Sequence, residues 1–158
     1  MLDVPSKRRD RGPELEKAYF AVVWLKDQSA TLVTDTAELA KQRVYFDLAE
    51  LAARQARRNL QHLQDSINAY GTVYIHYVPV ANQACAWYHE QSDAYTRALY
   101  IDKIPNAYAT WRRQVRSLLQ ETTAYATPIQ DAQRLLSGRL MEPGYEKSET
   151  VLGTLGYK

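Results

Sequence analysis

The sequence predicts a mainly α protein, a helical bundle with one long helix and at most a small β-hairpin or short strand. Apolar side chains recur from Ala37 to Tyr70 in nine steps over 33 residues, a mean spacing of 3.67. This spacing is close to the 3.6-residue turn of a straight α-helix. Further helix-start signals follow at Asn82, Asn106 and Thr127-Pro128, because Asn and Thr cap helices and proline suits the first turn.

The two ends of the chain lack apolar periodicity and predict flexible segments around one helical domain of residues 13–141. Residues 1–12 are polar and basic and read as a flexible arm. Residues 142–158 are rich in glycine and read as a second tail.

The segment that follows the arm has two interpretations. Pro13 can open a helix, and apolar residues continue at helical spacing to Val33. The same segment is rich in β-branched and aromatic residues, so a hairpin of residues 18–25 and 30–34 also fits. The spacing favours the helix, whereas the hairpin would give an α+β fold.

The long helix has signals at both of its ends. Asp35 and Glu38 are spaced like a capping box, although Thr34 or Thr36 could also be the cap. Gly71 is well placed to end the helix. A helix of about 34 residues is a rod of roughly 50 Å, which is longer than a compact domain of this size needs.

A short strand at Thr72–Val78 is expected before Pro79. Asn82 then caps a third helix, which ends near Ile104 because Pro105 disfavours helical geometry in the residue before it.

A fourth helix begins after Asn106, with apolar residues from Tyr108 to Tyr125 along one side. Thr127 and Pro128, with Gln130 at the capping-box position, start a fifth helix. Its apolar residues are Ile129, Ala132, Leu135, Leu136 and Leu140.

Composition excludes several classes of protein. The chain has 158 residues, 46% apolar and 24% charged, with a net charge of +2, which is unlike a disordered polyelectrolyte. The longest apolar run, Ala18–Leu25, is too short to span a membrane. The single Cys85 cannot form an internal disulfide, and the N-terminus lacks the apolar core of a secretory signal. We therefore expect a soluble, cytoplasmic protein without membrane insertion.

Cys85, His89 and Asp93 are spaced four residues apart, so they share one side of a helix. A Cys–His nucleophile pair or half of a zinc site needs such proximity. On the helical projection, however, these residues fall on the flank and solvent face, away from Trp87 and Tyr88. No glycine-rich phosphate loop or other catalytic motif is present. We predict no catalytic residue, metal ligand or cofactor, and an enzyme built on Cys85 is only a third alternative.

Basic residues cluster in three segments that contain few acids. On helical projection, those of the long and fourth helices face away from the apolar stripes and form outer ridges. Such ridges bind phosphates or acidic proteins, or are simply solvated. The candidates are Arg8, Arg9 and Arg11; Arg54, Arg57 and Arg58; and Arg112, Arg113 and Arg116.

Tyr145 and Tyr157 add aromatic side chains to the C-terminal tail, and tyrosine with arginine is typical of binding hot spots. The sequence therefore favours a non-enzymatic structural or adaptor subunit. It would bind other protein chains, copies of itself or different ones, through the long helix and the tails. The alternative is a nucleic-acid-associated accessory protein that uses the arginine ridges.

Overall fold

The computed structural model describes residues 1–10, 16–23, 35–67 and 73–148. Its elements confirm a mainly α fold with one long helix and a small antiparallel sheet. The helices are α1 (Thr36–Ile67), α2 (Val73–Thr96), α3 (Ala107–Glu121) and α4 (Ile129–Ser137), and the strands are β1 (Leu2–Pro5), β2 (Lys17–Ala18) and β3 (Tyr145–Lys147). Within these ranges, no helix is both long and apolar enough to cross a bilayer.

The long helix α1 has 32 residues and confirms the helical periodicity of the sequence. It begins after Asp35, whose Oδ1 accepts the backbone N–H of Ala37 at 3.0 Å. This bond satisfies one of the amides that a helix N-terminus leaves without a partner. Gly71, the predicted end, lies outside the described residues.

Two hydrophobic clusters lie along α1, and residues of α1 belong to both. Burying each large apolar side chain contributes about 1.5 to 3 kcal/mol, so α1 acts as the spine of the fold. The first cluster is Val44, Leu48 and Leu51 with Tyr95 of α2 and Val115 of α3. The second is Ala56 and Leu60 with Tyr77 and Val80 of α2 and Leu2 and Val4 of β1.

The strands form a sheet of order β2-β1-β3, in which both pairings are antiparallel. Leu2 pairs with Ala18, and Val4 pairs with Glu146. The expectation of flexible ends is therefore wrong at residues 2–5 and 145–147. The two ends of the chain pair with each other, and such long-range pairing leaves no local periodicity in the sequence.

Successive side chains of β1 point to opposite faces of the sheet. Leu2 and Val4 join the cluster of α1 and α2. Asp3 binds α4 through Arg134, whose Nε and Nη2 donate to Asp3 Oδ2 and Oδ1, each at 2.7 Å. The two side chains are only 1% and 0% exposed. The N-terminal strand is therefore held between the long helices and α4.

The predicted helix between Pro13 and Val33 is wrong over its described part. Residues 17–18 form β2, and the chain continues without helical structure to Val23. β2 pairs with β1, a pairing that neither interpretation predicted. Residues 24–34, which hold the rest of both interpretations, lie outside the described residues.

The predicted strand before Pro79, and the helix start at Asn82, are also wrong. α2 begins at Val73 and contains Pro79. Tyr77 and Val80, only 4% and 3% exposed, are three residues apart and pack on α1 and β1. Pro79 itself is exposed, so the helical hydrogen bond that proline cannot make is lost on the solvent side. The packing of Tyr77 and Val80 therefore outweighs the β propensity of this segment.

The helices after Asn106 and after Thr127-Pro128 are confirmed, but their capping differs from the prediction. Asn106 adopts a left-handed conformation, φ 60°, and its side chain makes no capping hydrogen bond. Pro128 occupies the cap position of α4, while Thr127 binds Glu50 instead.

Replacing Arg134 with methionine is expected to destabilise the protein by about 3 to 5 kcal/mol, because it leaves the buried Asp3 carboxylate without its partner. Urea unfolding measures this free energy. The matched control is Arg97→Met, whose ion pair with Asp102 is exposed and contributes about 0 to 1 kcal/mol. Equal losses in the two variants would contradict the structural role of the Asp3–Arg134 pair.

Candidate binding surfaces

The structure separates the predicted arginines of α1 into internal and external ones. Arg54 and Arg57 are 13% and 14% exposed, so the outer ridge predicted on this helix is wrong at both positions. Arg58 is exposed. The projection gave the direction of these side chains relative to the apolar stripe, but later parts of the chain cover that side of α1.

Arg54 ties α1 to the C-terminal end of α3. Its Nη1 donates to the carbonyl of Leu119 at 2.6 Å, and its Nε donates to Glu50 Oε1 at 2.8 Å. The Glu50–Arg54 spacing of four residues, acid first, is the sequence signal for an ion pair along the helix, although it does not show that the pair is buried.

Arg57 connects three separate segments. Its guanidinium donates to the carbonyls of Tyr125 and Phe20 and to the hydroxyl of Thr127. Its Nε lies 3.6 Å from Asp131 Oδ2, which also accepts the N–H of Phe20 at 3.1 Å. Arg57 therefore has a structural role within the fold.

Glu50 is the carboxylate at the centre of this network. Burial acts to raise the pKa of Glu50, but hydrogen bonds from the hydroxyl and N–H of Thr127 and from Arg54 outweigh it, and the pKa lies below its ordinary value. The ionised form thus stabilises the fold.

Charged residues also line the inner side of α4, where Asp131 and Arg134 are 8% and 0% exposed. Two of its three large apolar residues lie outside, because Ile129 is 74% exposed and Leu136 is 56% exposed, whereas Leu135 is half-buried. Ile129 and Leu136 are seven residues apart, about two helical turns, and thus lie on the same side of α4. We call this pair the α4 stripe; Leu140, 45% exposed, follows the helix. The sequence does not reveal this inversion, because a buried ion pair and a solvated ion pair leave the same spacing of charged residues.

The arginines of α3 are exposed as predicted. Arg112, Arg113 and Arg116 line an open groove of about 550 Å³. The Arg112 guanidinium lies 6.0 Å from the ring centroid of Tyr108, at the outer limit of a cation–π contact. The remaining lining residues are Ala109, Ser117 and Gln120.

Asp47 of α1 lies close enough to this groove to interact with its charges. Burial raises the pKa of Asp47, although Arg43, Arg116 and Arg112 each act to lower it. The groove therefore has a half-buried carboxylate behind it, which offsets part of its positive charge.

The terminal candidates that the structure describes, Arg9 and Tyr145, make contacts close to their own segments. Arg9 is 79% exposed and lies 3.4 Å from Asp10. Tyr145 is half-buried in β3, with the Lys17 ammonium 5.8 Å from its ring centroid. Of the other terminal candidates, Arg11 and Tyr157 lie outside the described residues, as does the side chain of Arg8.

The Cys85–His89–Asp93 group lies on the outer side of α2, where His89 and Asp93 are exposed. Burial raises the pKa of the Cys85 thiol, which disfavours the thiolate that a nucleophile or metal ligand requires. Among the residues that the structure describes, no three cysteine, histidine or acidic side chains are grouped so that they could hold a metal ion.

Comparisons with models of protein families, with curated proteins and with solved structures gave no match. Function is therefore inferred from the geometry of this chain alone.

Replacing Glu50 with glutamine is expected to cost about 1 to 3 kcal/mol at pH 7, because hydrogen bonds to a charged acceptor are lost. A lowered folded-state pKa stabilises the fold fully above the ordinary value of 4.5, and this stabilisation disappears as the pH falls through the folded-state pKa. The difference between wild type and Glu50→Gln should therefore shrink below pH 4.5.

Chemical unfolding at pH values between 7 and 3 measures this difference. Glu90→Gln on the exposed side of α2 is the control and should change stability little at any pH. A Glu50→Gln difference that stays constant to pH 3 would show that the ionised carboxylate has no stabilising role.

Proposed function

We propose that this protein is a non-enzymatic structural or adaptor subunit that docks onto another protein chain through the α4 stripe. The orientation of α4 carries the proposal: Asp131 and Arg134 bind inward, whereas Ile129 and Leu136 face solvent. Ile129 is 74% exposed, which is the highest value among the large apolar residues that the structure describes. An apolar side chain on a helix is stabilised when a partner covers it.

The internal network explains why α4 does not turn its apolar side inward. Rotation of the helix would expose the Asp3–Arg134 pair, in which Arg134 Nη2 lies 2.7 Å from Asp3 Oδ1. It would also separate Asp131 from Arg57, whose Nε lies 3.6 Å from Asp131 Oδ2. Separating a buried charge from its partner costs several kcal/mol. The stripe is therefore fixed outward and is available to a partner with apolar side chains of its own.

The open shape of the α3 groove supports binding over catalysis. Small-molecule and catalytic sites are usually concave and enclose most of the ligand, whereas this groove runs along the surface of one helix. Among the described residues, the group with nucleophilic chemistry, around Cys85, is spread over the outer side of α2.

Replacing Ile129 with aspartate is expected to abolish partner binding, because the partner's apolar side chains would then cover a charge. Affinity purification from the native source, followed by light scattering, identifies the partner and its stoichiometry. The control is Ile75→Asp on α2, where Ile75 is 52% exposed, and this variant should retain the partner.

Two results would contradict the proposal. One is native wild-type protein that runs as a single 18.1 kDa chain with no partner. The other is equal loss of the partner in both isoleucine variants, with thermal unfolding curves like that of the wild type. Self-association abolished by Ile129→Asp would identify the partner as a second copy of the chain.

A further inference from the structure

The groove on α3 has an unusual composition for a protein-docking surface. All seven lining residues belong to this one helix, from Tyr108 to Gln120. At 1.5 Å per residue they extend over roughly 18 Å. Three of them are arginines and none is acidic, so this exposed strip of the helix is basic, with its arginines at residues 112–116 and neutral residues on either side.

The acids near the strip only partly offset its charge. Arg43 of α1, which like Arg112 and Arg116 interacts with the charge of Asp47, adds a fourth arginine to the neighbourhood. Asp47 is half-buried, and Glu121 just beyond the strip accepts the hydroxyl hydrogen of Ser117 at 2.9 Å. The neighbourhood therefore has four arginines against two acids.

Arginine on this surface matches phosphate chemistry. The guanidinium presents a planar fork of donors that binds phosphate oxygens in pairs. Phosphates in one strand of a duplex are about 3.4 Å apart along the axis, so an 18 Å strip spans roughly five of them. Residues 112 and 116 are one helical turn apart, about 6 Å along the axis, which places two guanidinium groups along such a backbone.

The polar lining favours nucleic acid over an acidic protein. Protein interfaces are built around buried apolar or aromatic anchors, and the only lining residues without a polar function are Ala109 and the ring of Tyr108. Ser117 and Gln120 supply hydrogen-bonding groups of the kind that contact phosphate, sugar and base edges. Tyr108 is anchored to α1 by a hydrogen bond to the carbonyl of Ala40 at 3.5 Å, and an aromatic ring can stack on a base.

We propose that the α3 groove binds the phosphodiester backbone of a nucleic acid. This site lies on α3 and is separate from the α4 stripe, so it goes beyond the protein-docking function and stands or falls independently of it. The three α3 arginines neutralise the phosphates, and Tyr108 lies where a base or sugar would contact the groove.

Fluorescence anisotropy with labelled oligonucleotides tests this binding directly. The probes are single-stranded and duplex forms of one 20-nucleotide sequence, as DNA and as RNA, and they decide which form presents the backbone. Binding should weaken steeply as salt rises, because each neutralised phosphate releases a condensed cation. The absence of binding to every probe at 50 mM salt would overturn the proposal.

The decisive variant replaces Arg112, Arg113 and Arg116 with glutamine. The slope of log affinity against log salt should fall in magnitude by about 2 to 3, so raising the salt from 50 to 200 mM should weaken binding of the variant about 16- to 64-fold less than it weakens binding of the wild type. The control replaces Arg97, Lys103 and Arg139 with glutamine; all three are exposed, and the variant loses the same charge elsewhere. Equal effects of the two triple variants would show general charge attraction and overturn the site.

A competitor separates nucleic acid from acidic protein. Poly-glutamate at matched charge should displace the oligonucleotides poorly, since carboxylates lack the base and sugar groups that contact Tyr108 and Gln120. If poly-glutamate binds as tightly as the oligonucleotides, with the same dependence on the three arginines, the groove is a site for acidic proteins and the nucleic-acid proposal is wrong. Circular dichroism melting of each variant verifies that these exposed substitutions leave the fold intact.

Discussion

A buried ion pair between the N-terminal strand β1 and helix α4 determines how the elements of this fold pack together. Asp3 of β1 and Arg134 of α4 form two hydrogen bonds of 2.7 Å while both are withdrawn from solvent. Breaking such a pair costs free energy, because each charge would remain buried without its partner. Together with Arg57 and Asp131, it joins the N-terminal strand and α4 to the long helix.

The same constraint determines which surfaces are left for binding. In α4 the ion pairs turn Asp131 and Arg134 inward, so the opposite side of this short helix faces solvent. Ile129 and Leu136 consequently face solvent. On α3 the opposite arrangement holds: Val115 packs into the core and the arginines face outward. The two exposed sides therefore differ in chemistry, one apolar and one basic, which suits two different partners.

The sequence predicted the features that depend on local pattern and missed those that depend on distant contacts. The period of apolar residues and the cap at Asp35 were sufficient for α1. Local pattern was not sufficient for β1, whose four residues pair with β2 and β3. It was also not sufficient for α2, where packing of Tyr77 and Val80 outweighs the β propensity around Pro79. The arginines of α3 were correctly placed outside, whereas Arg54 and Arg57 were misplaced because the segments that cover them lie about 70 residues further along the chain.

The outward orientation of the α4 stripe is tested most directly by the reactivity of a cysteine at position 136, in a protein whose Cys85 is replaced by alanine. Purified Leu136→Cys protein, at a concentration where it is monomeric, is mixed with a thiol reagent with and without denaturant. A solvent-facing stripe predicts that the folded protein reacts nearly as fast as the unfolded one, since no structural opening is needed. Strong protection in the folded protein would mean that α4 buries its apolar side, which would contradict the inward orientation of Asp131 and Arg134.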